Sequence, residues 1–307
     1  MDIFERKNIK PMLISEQTDP YDDSDSVFEL KLDGIRCIAY CDGSSVDLRN
    51  KRDLKLLPRF PELAALYQGC REKCILDGEL SVLVNGRPDF YEVQKRTLLS
   101  DPFKMQLAYT KYPANFVAFD ILYYKNQLTT ELPLMKRKEL LSNIITESSI
   151  LSVSRYVETN GTILFDLAKQ QGLEGVVGKK KNSLYWFGKR TREWKKVKVM
   201  ADYDAIAIAY LPKPHNMTSL VLAKYGEADQ LVITNHVTLG VSLTKLRQWG
   251  MKESSCPFEI LPKGYEDAVW INPMVCTVSY MPSEKEGLRQ AVFKGIRDDI
   301  LPIECRL

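Results

Sequence analysis

The chain has 307 residues, 45% of them hydrophobic, which suffices for two domains with sizeable cores and excludes a disordered, collagenous or coiled-coil chain. Its 43 lysines and arginines stand against 40 aspartates and glutamates, so a net charge of +3 announces no nucleic-acid partner by itself. No run of about 18 apolar residues is present, and the opening MDIFERKNIKPMLISEQ lacks an apolar signal core, so the expectation is a soluble, cytoplasmic protein with no membrane association. Seven cysteines, an odd number without a CxxC pair, read as free thiols in a reducing compartment. Cys70 and Cys74 are spaced CxxxC, but with no second pair nearby and two histidines in the chain a zinc site is not expected.

In chain order, 26–41 reads as a strand broken by Asp33-Gly34, and the acidic stretch 19–25 before it as a solvated loop. A helix is predicted at 61–69, a strand at 74–84 ending in the turn pair Asn85-Gly86, and a short helix within 90–100. Aromatic and β-branched types make 115–124 a buried strand. Amphipathic helices follow at 134–146 and 162–171, the second stopped by Gly172, then strands at 173–180 and 193–199. Beyond about residue 200 the texture becomes short strands (205–210, 219–224, 230–238, 270–280) with one helix at 243–249, the pattern of a small barrel such as an OB-fold.

Three segments carry chemistry. In Phe28-Glu29-Leu30-Lys31-Leu32-Asp33-Gly34-Ile35-Arg36, alternation sends Phe28, Leu30 and Leu32 to one face and Glu29, Lys31 and Asp33 to the other. A lysine flanked by acids reads either as a solvated strand face or as a nucleophile lining a pocket. The Asp33-Gly34 turn that returns Arg36 toward it favours the second. In Glu174-Gly175-Val176-Val177-Gly178-Lys179, a carboxylate opens an apolar strand whose glycines permit close approach to its backbone. In Trp194-Lys195-Lys196-Val197-Lys198, two ammonium groups share a face, and an anion such as phosphate would relieve their repulsion. The 179–198 run is the most basic of the chain and carries Tyr185, Trp186 and Phe187, a mixture suited to nucleic acid or, more blandly, to a charged hairpin tip.

Taken in order, Lys31-x-Asp33-Gly34-x-Arg36, Glu79 in Leu76-Asp77-Gly78-Glu79-Leu80, Phe119-Asp120, Pro133-Leu134-x-x-Arg137, Glu174-Gly175-Val176-Val177 and Lys196-x-Lys198 resemble the motifs of the covalent nucleotidyltransferases, and among these the compact bacterial or phage ATP-dependent DNA ligases. The resemblance runs from about Pro11 to the C-terminus. It implies an α+β nucleotidyltransferase domain, ATP-grasp-like with antiparallel sheets and helices, at 1–200, and a C-terminal OB-fold β-barrel at 201–307. It implies that Lys31 forms a lysyl-AMP from ATP and that Lys196 and Lys198 hold the α-phosphate. Glu29 would lie beside the adenine, Phe119 would stack on it, and Arg36 and Glu79 would meet the ribose. Glu174, with Glu79, would bind Mg²⁺ or Mn²⁺.

Arg49 resembles the residue that grips the 5′-phosphate of a nick, and Lys189, Arg190 and Arg192 form a candidate DNA-gripping element. Arg289 and Arg297, in Arg289-x-x-x-Phe293-x-Gly295-x-Arg297, resemble the last ligase motif, which orients pyrophosphate. Gln290-Ala291 replaces the usual aromatic-proline pair there. An OB domain that serves ATP in one step and DNA in another is expected to swing between them. The implied partner is nicked duplex DNA, bound by a monomer in replication, recombination or repair, alone or with proteins of those pathways. An RNA ligase or mRNA-capping enzyme shares Lys31 and the lysine pair, but the Leu76–Leu80 segment and the final motif favour DNA. The 30 residues before Lys31 leave no room for the extra domain of an NAD-dependent ligase.

Overall fold

A computed structural model describes residues 2–215, 217–282 and 287–307. The chain forms two compact units, Met1–Lys198 and Val199–Leu307. The first runs α1 (Ile3–Arg6), β1 (Leu13–Gln17), β2 (Asp23–Leu30), β3 (Ile35–Cys41), β4 (Val46–Asn50), β5 (Cys74–Val84), β6 (Arg87–Pro88), α2 (Phe90–Leu98), α3 (Pro102–Lys111), β7 (Ala114–Tyr124), β8 (Gln127–Leu128), α4 (Leu134–Ile144), β9 (Leu151–Val153), β10 (Tyr156–Thr159), α5 (Gly161–Gln170), β11 (Gly175–Lys180) and β12 (Arg190–Lys198). The predicted helix at 61–69 is a 3₁₀ segment, Pro61–Gly69.

Two sheets organise this unit. One has the order β1-β12-β11-β2-β10; the other runs β4-β3-β5-β7-β8, with β6 on β5 and β9 on β7. Pairing is antiparallel except for β1 with β12 and β9 with β7. Alternation explains the layering. Val27 of the first sheet and Ile38, Tyr40 and Ile75 of the second share one core with Met12, Tyr185 and Trp194. The opposite face of the second sheet (Cys37, Ala39, Leu48, Leu76, Leu80) buries against Phe60 just before the 3₁₀ segment, Leu63 and Leu66 within it, Val93 of α2 and Leu141 of α4. The outer face of the first sheet packs Leu30, Val176 and Val197 beneath Leu164 and Ala168 of α5. Between β5 and β6, Asn85 and Gly86 both take positive φ, 51° and 79°, which a two-residue hairpin of this kind requires.

The acidic stretch is not a simple loop. Asp22 accepts the Thr162 N–H at 2.9 Å at the start of α5, and Asp23 opens β2 and pairs with Lys180 at 2.6 Å. Folding has supplied each with a partner more than 130 residues away in sequence.

The second unit contains β13 (Ala201–Lys213), β14 (Met217–Tyr225), β15 (Leu231–Val237), α6 (Leu243–Gln248), β16 (Val269–Met281) and β17 (Arg289–Ile296). The sheet order is β15-β14-β13-β16-β17. A parallel bridge between Leu239 and Val292, with the Phe293 N–H on the Leu239 carbonyl at 2.8 Å, joins the chain after β15 to β17. Its core gathers Leu220, Leu222, Val237, Leu246, Cys276 and Phe293. Among the described residues, no helix is long and apolar enough to cross a membrane.

Buried forks between arginine and carboxylate tie the first unit together. Arg96 forks onto Glu62 at 2.6 and 2.9 Å. Arg137 forks onto Asp120 at 2.7 and 2.9 Å, with neither side chain exposed, and also donates to the carbonyls of Leu132 and Ser183. Arg137 is thus a structural tie between α4, β7 and the segment before β12. Its replacement by Met strands Asp120 in the core and should lower the unfolding free energy by about 3–5 kcal/mol. Urea denaturation checks this, and wild-type stability would count against the pair.

Candidate active site

Strand register assembles the centre. The Lys31 N–H, just past β2, bonds the Gly175 carbonyl at 2.8 Å, and Gly175 lies opposite Lys198. Lys31, Glu174 and Lys198 therefore meet across three neighbouring segments. Lys31 Nζ donates to Glu174 Oε2 at 2.6 Å, while Lys198 Nζ lies 3.6 Å from the other oxygen. One buried carboxylate faces two ammonium groups, and Lys196 follows on the same strand face as Lys198. Burial lowers the Lys198 pKa; Glu174 opposes this, and Lys31 and Lys196 add to it. A surplus of positive charge of this kind suits a phosphate.

Gly175 has a reason to be glycine. Its φ is 139°, and a Cβ there would lie 2.0 Å from the Val197 carbonyl oxygen. At Gly178 a Cβ would meet the Tyr21 hydroxyl at 2.2 Å. The close approach read from these glycines is thus made by the protein itself.

Beside this centre is a small pocket of about 90 Å³ that opens to solvent. Glu29, Lys31, Arg36, Glu79 and Phe119 all line it, together with Lys179 and Trp194. Glu29 shows that the polar face of β2 is not solvated: it is 2% exposed. Its Oε1 takes Lys138 Nζ at 2.6 Å and Lys179 Nζ at 2.8 Å. Burial pushes the Glu29 carboxyl up, but the two ammonium groups outweigh it and hold its pKa low. Burial brings Lys179 down to about 8 against the pull of Glu29. Its ammonium lies 4.4 Å from the Phe119 ring centre and 4.2 Å from that of Trp194.

Arg36 is held by a forked ion pair with buried Asp77, and its guanidinium lies 4.5 Å from the Phe119 ring centre. Asp77 also accepts the Tyr185 hydroxyl at 2.5 Å, and that hydroxyl accepts the Met12 N–H at 3.0 Å. Glu79 is half-buried opposite Arg36. Burial raises it to about 8, with Arg36 and Lys31 opposing and Glu174 and Asp77 adding to the rise.

Other candidates lie outside the pocket lining. Arg49 on β4 pairs with Asp47 at 3.1 Å and Asp53 at 2.9 Å. Lys189, Arg190 and Arg192 are exposed; Lys189 lies 4.8 Å from the Trp186 ring centre and Arg190 donates to the Ile14 carbonyl. The rest of the basic and aromatic run is different. Lys179, Tyr185 and Trp194 are buried, so they serve the pocket and core instead of an outer surface. Arg289 opens β17 in the second unit, where Arg297 pairs with Asp299 at 2.6 Å and Asp204 at 3.5 Å. Sequence reasoning missed Lys138, Lys179 and Trp194 as pocket-building residues. Lys179 shares strand parity with Val177 and was accessible to the same alternation argument; Lys138 comes from a helix with no local signal.

The match to the family of the ATP-dependent DNA ligase domain covers residues 10–198. The chain belongs to the ATP-dependent DNA ligases. It is 28% identical over 291 residues to the SPbeta prophage-derived DNA ligase-like protein LigB of Bacillus subtilis, covering 94% of this chain and 99% of that one. To the multifunctional non-homologous end joining DNA repair protein LigD of Mycobacterium tuberculosis it is 27% identical over 319 residues, 98% of this chain but 40% of that protein. A solved mycobacterial DNA ligase D, in complex with ATP and MES, superposes with a TM-score of 0.58 at 25% identity, over 97% of this chain and 98% of the other.

An acid whose folded pKa lies above its ordinary 4.5 loses its stabilising contribution as pH rises from there through about 8. In metal-free buffer, the wild-type melting temperature should fall between pH about 5 and about 8.5 by more than that of Glu79→Gln. Identical pH profiles would mean that Glu79 is solvated like a surface acid.

Proposed function

We propose that this ligase seals 3′-hydroxyl/5′-phosphate nicks in duplex DNA through an AMP carried on Lys31. The observation that supports this best is the convergence of Lys31, Glu174 and Lys198 beside a pocket that Lys31 itself lines. In the first step Lys31 Nζ attacks the α-phosphorus of ATP. A P–N bond forms and the bond to pyrophosphate breaks. The amine must leave Glu174 and lose its proton before it attacks. Lys196 and Lys198 face the α-phosphate and offset the charge that develops on its oxygens. Phe119 stacks on adenine, Glu29 faces its edge, and Arg36 and Glu79 hold the ribose.

The donor set fits a hard divalent cation. Glu79 and Glu174 are carboxylates close enough to repel each other, and burial together with that repulsion raises Glu79 to about 8, which a divalent cation would relieve. Magnesium held by these residues would neutralise phosphate oxygens when bound. AMP then passes to the 5′-phosphate of the nick, and the 3′-hydroxyl displaces it. Each step is an in-line displacement, so positioning dominates.

The five strands of the second unit, with α6 between the third and fourth and the Leu239–Val292 bridge, support an OB-type barrel. Arg289 and Arg297 would orient pyrophosphate from it. Arg49 would hold the 5′-phosphate, and Lys189, Arg190 and Arg192 the duplex backbone.

Incubation with α-³²P-ATP and Mg²⁺ should label the wild type and leave Lys31→Ala unlabelled on a denaturing gel. Label surviving in the mutant would move the nucleophile elsewhere. Alanine at Lys189, Arg190 and Arg192 together should weaken nick binding and flatten its dependence on salt, by up to about 0.9 in log–log slope for each phosphate that is no longer neutralised. An unchanged slope would remove these residues from the DNA interface.

A further inference from the structure

We propose that Cys41, Cys70 and Cys74 form a binding site for one thiophilic divalent cation of the Zn²⁺ class. Cys41 closes β3 and Cys74 opens β5, and the two are register partners. Cys70 follows the 3₁₀ segment, where its N–H bonds the Tyr67 carbonyl at 2.9 Å and its backbone bridges to Ile145. The three sulfurs lie within 4.8 Å of one another, and all three are free thiols.

Cysteine also serves here as a small apolar filler, at Cys37 and Cys276. Filling space places no demand on a thiol to face two others. Convergence of three sulfurs from three separate segments does what a soft cation needs. Zinc–thiolate bonds of about 2.3 Å place sulfurs roughly 3.8 Å apart around a tetrahedral ion. Side-chain rotation covers the remaining distance. Cys41 and Cys74 are fully buried, and Cys70, 7% exposed, is the most accessible of the three. Among the described residues no His, Asp or Glu joins the three sulfurs, so water supplies the fourth position.

Binding replaces three S–H bonds with three Zn–S bonds and releases three protons to solvent. The bound site carries one net negative charge. A hard cation such as Mg²⁺ prefers oxygen and does not compete. The ion would clamp the outer ends of β3 and β5, the strands that carry Arg36 and Glu79, behind the pocket. It shares no side chain with the proposed reaction and stands or falls independently of it.

The test uses the full chain, reduced, chelator-treated and returned to metal-free buffer. Zn²⁺ is titrated against a chromophoric chelator, and Co²⁺ is read by thiolate-to-cobalt absorption. The expected result is one equivalent bound to the folded protein, with a higher melting temperature. Cys70→Ser should bind at least about 10-fold more weakly, and Cys37→Ser should bind as the wild type does. Cys70 sits at the rim, and circular dichroism confirms that its variant is folded; Cys74→Ser repeats the test from within the core. Absence of stoichiometric binding, or binding unchanged in folded Cys70→Ser, would overturn the site.

Discussion

A buried carboxylate held between two lysines, Glu174 between Lys31 and Lys198, is the constraint on which the active site rests. Three chain segments must arrive in one register for it to form, and Lys31 and Glu174 alone are 143 residues apart. The sheet fixes that register because its other face is covered: Leu30, Val176 and Val197 pack under α5. A slip of one residue would turn Lys31 toward that helix and Leu30 into the pocket. Hydrophobic packing on one side of the sheet thus decides the placement of charge on the other.

The same logic extends around the pocket. Glu29 is matched by Lys138 and Lys179, Asp77 by Arg36 and Tyr185, and Asp120 by Arg137. Unpaired, any of these would destabilise the fold by about 3–5 kcal/mol. Paired, they restrict one another's rotamers, and the pocket wall is defined before any nucleotide arrives. In Glu29 both lysines sit on the same oxygen, so its charge is neutralised from one side.

Much of this was legible in the sequence because it depends on short-range periodicity. The strand at 74–84, the Asn85-Gly86 turn and the helix ended by Gly172 are local patterns. The five pocket residues followed from ordered motifs. What escaped depends on distance. The parallel pairing of β1 with β12 joins residues 13 and 190, and nothing near either announces it. Tyr185 and Trp194 sit among lysines and arginines, and composition alone sends them to a surface; the Asp77 carboxylate and Ser183 hydroxyl that draw them inward come from the fold. Cys41 joins Cys70 and Cys74 only once β3 lies beside β5, so cysteine spacing could not reveal the cluster.

The link between β11 and β12 is pinned along its length. Ser183 receives Arg137 on its carbonyl and Trp194 on its hydroxyl; Tyr185 N–H bonds Thr130, Gly188 N–H bonds Lys10, and the Lys189 carbonyl takes the Leu13 N–H. Lys189, Arg190 and Arg192 therefore project from a backbone whose freedom was lost on folding. A flexible basic loop would have to be ordered by its partner, at a cost subtracted from affinity. Here only side-chain rotamers remain to be fixed, so in the proposed DNA-binding role these residues would not first have to shape themselves around a polyanion.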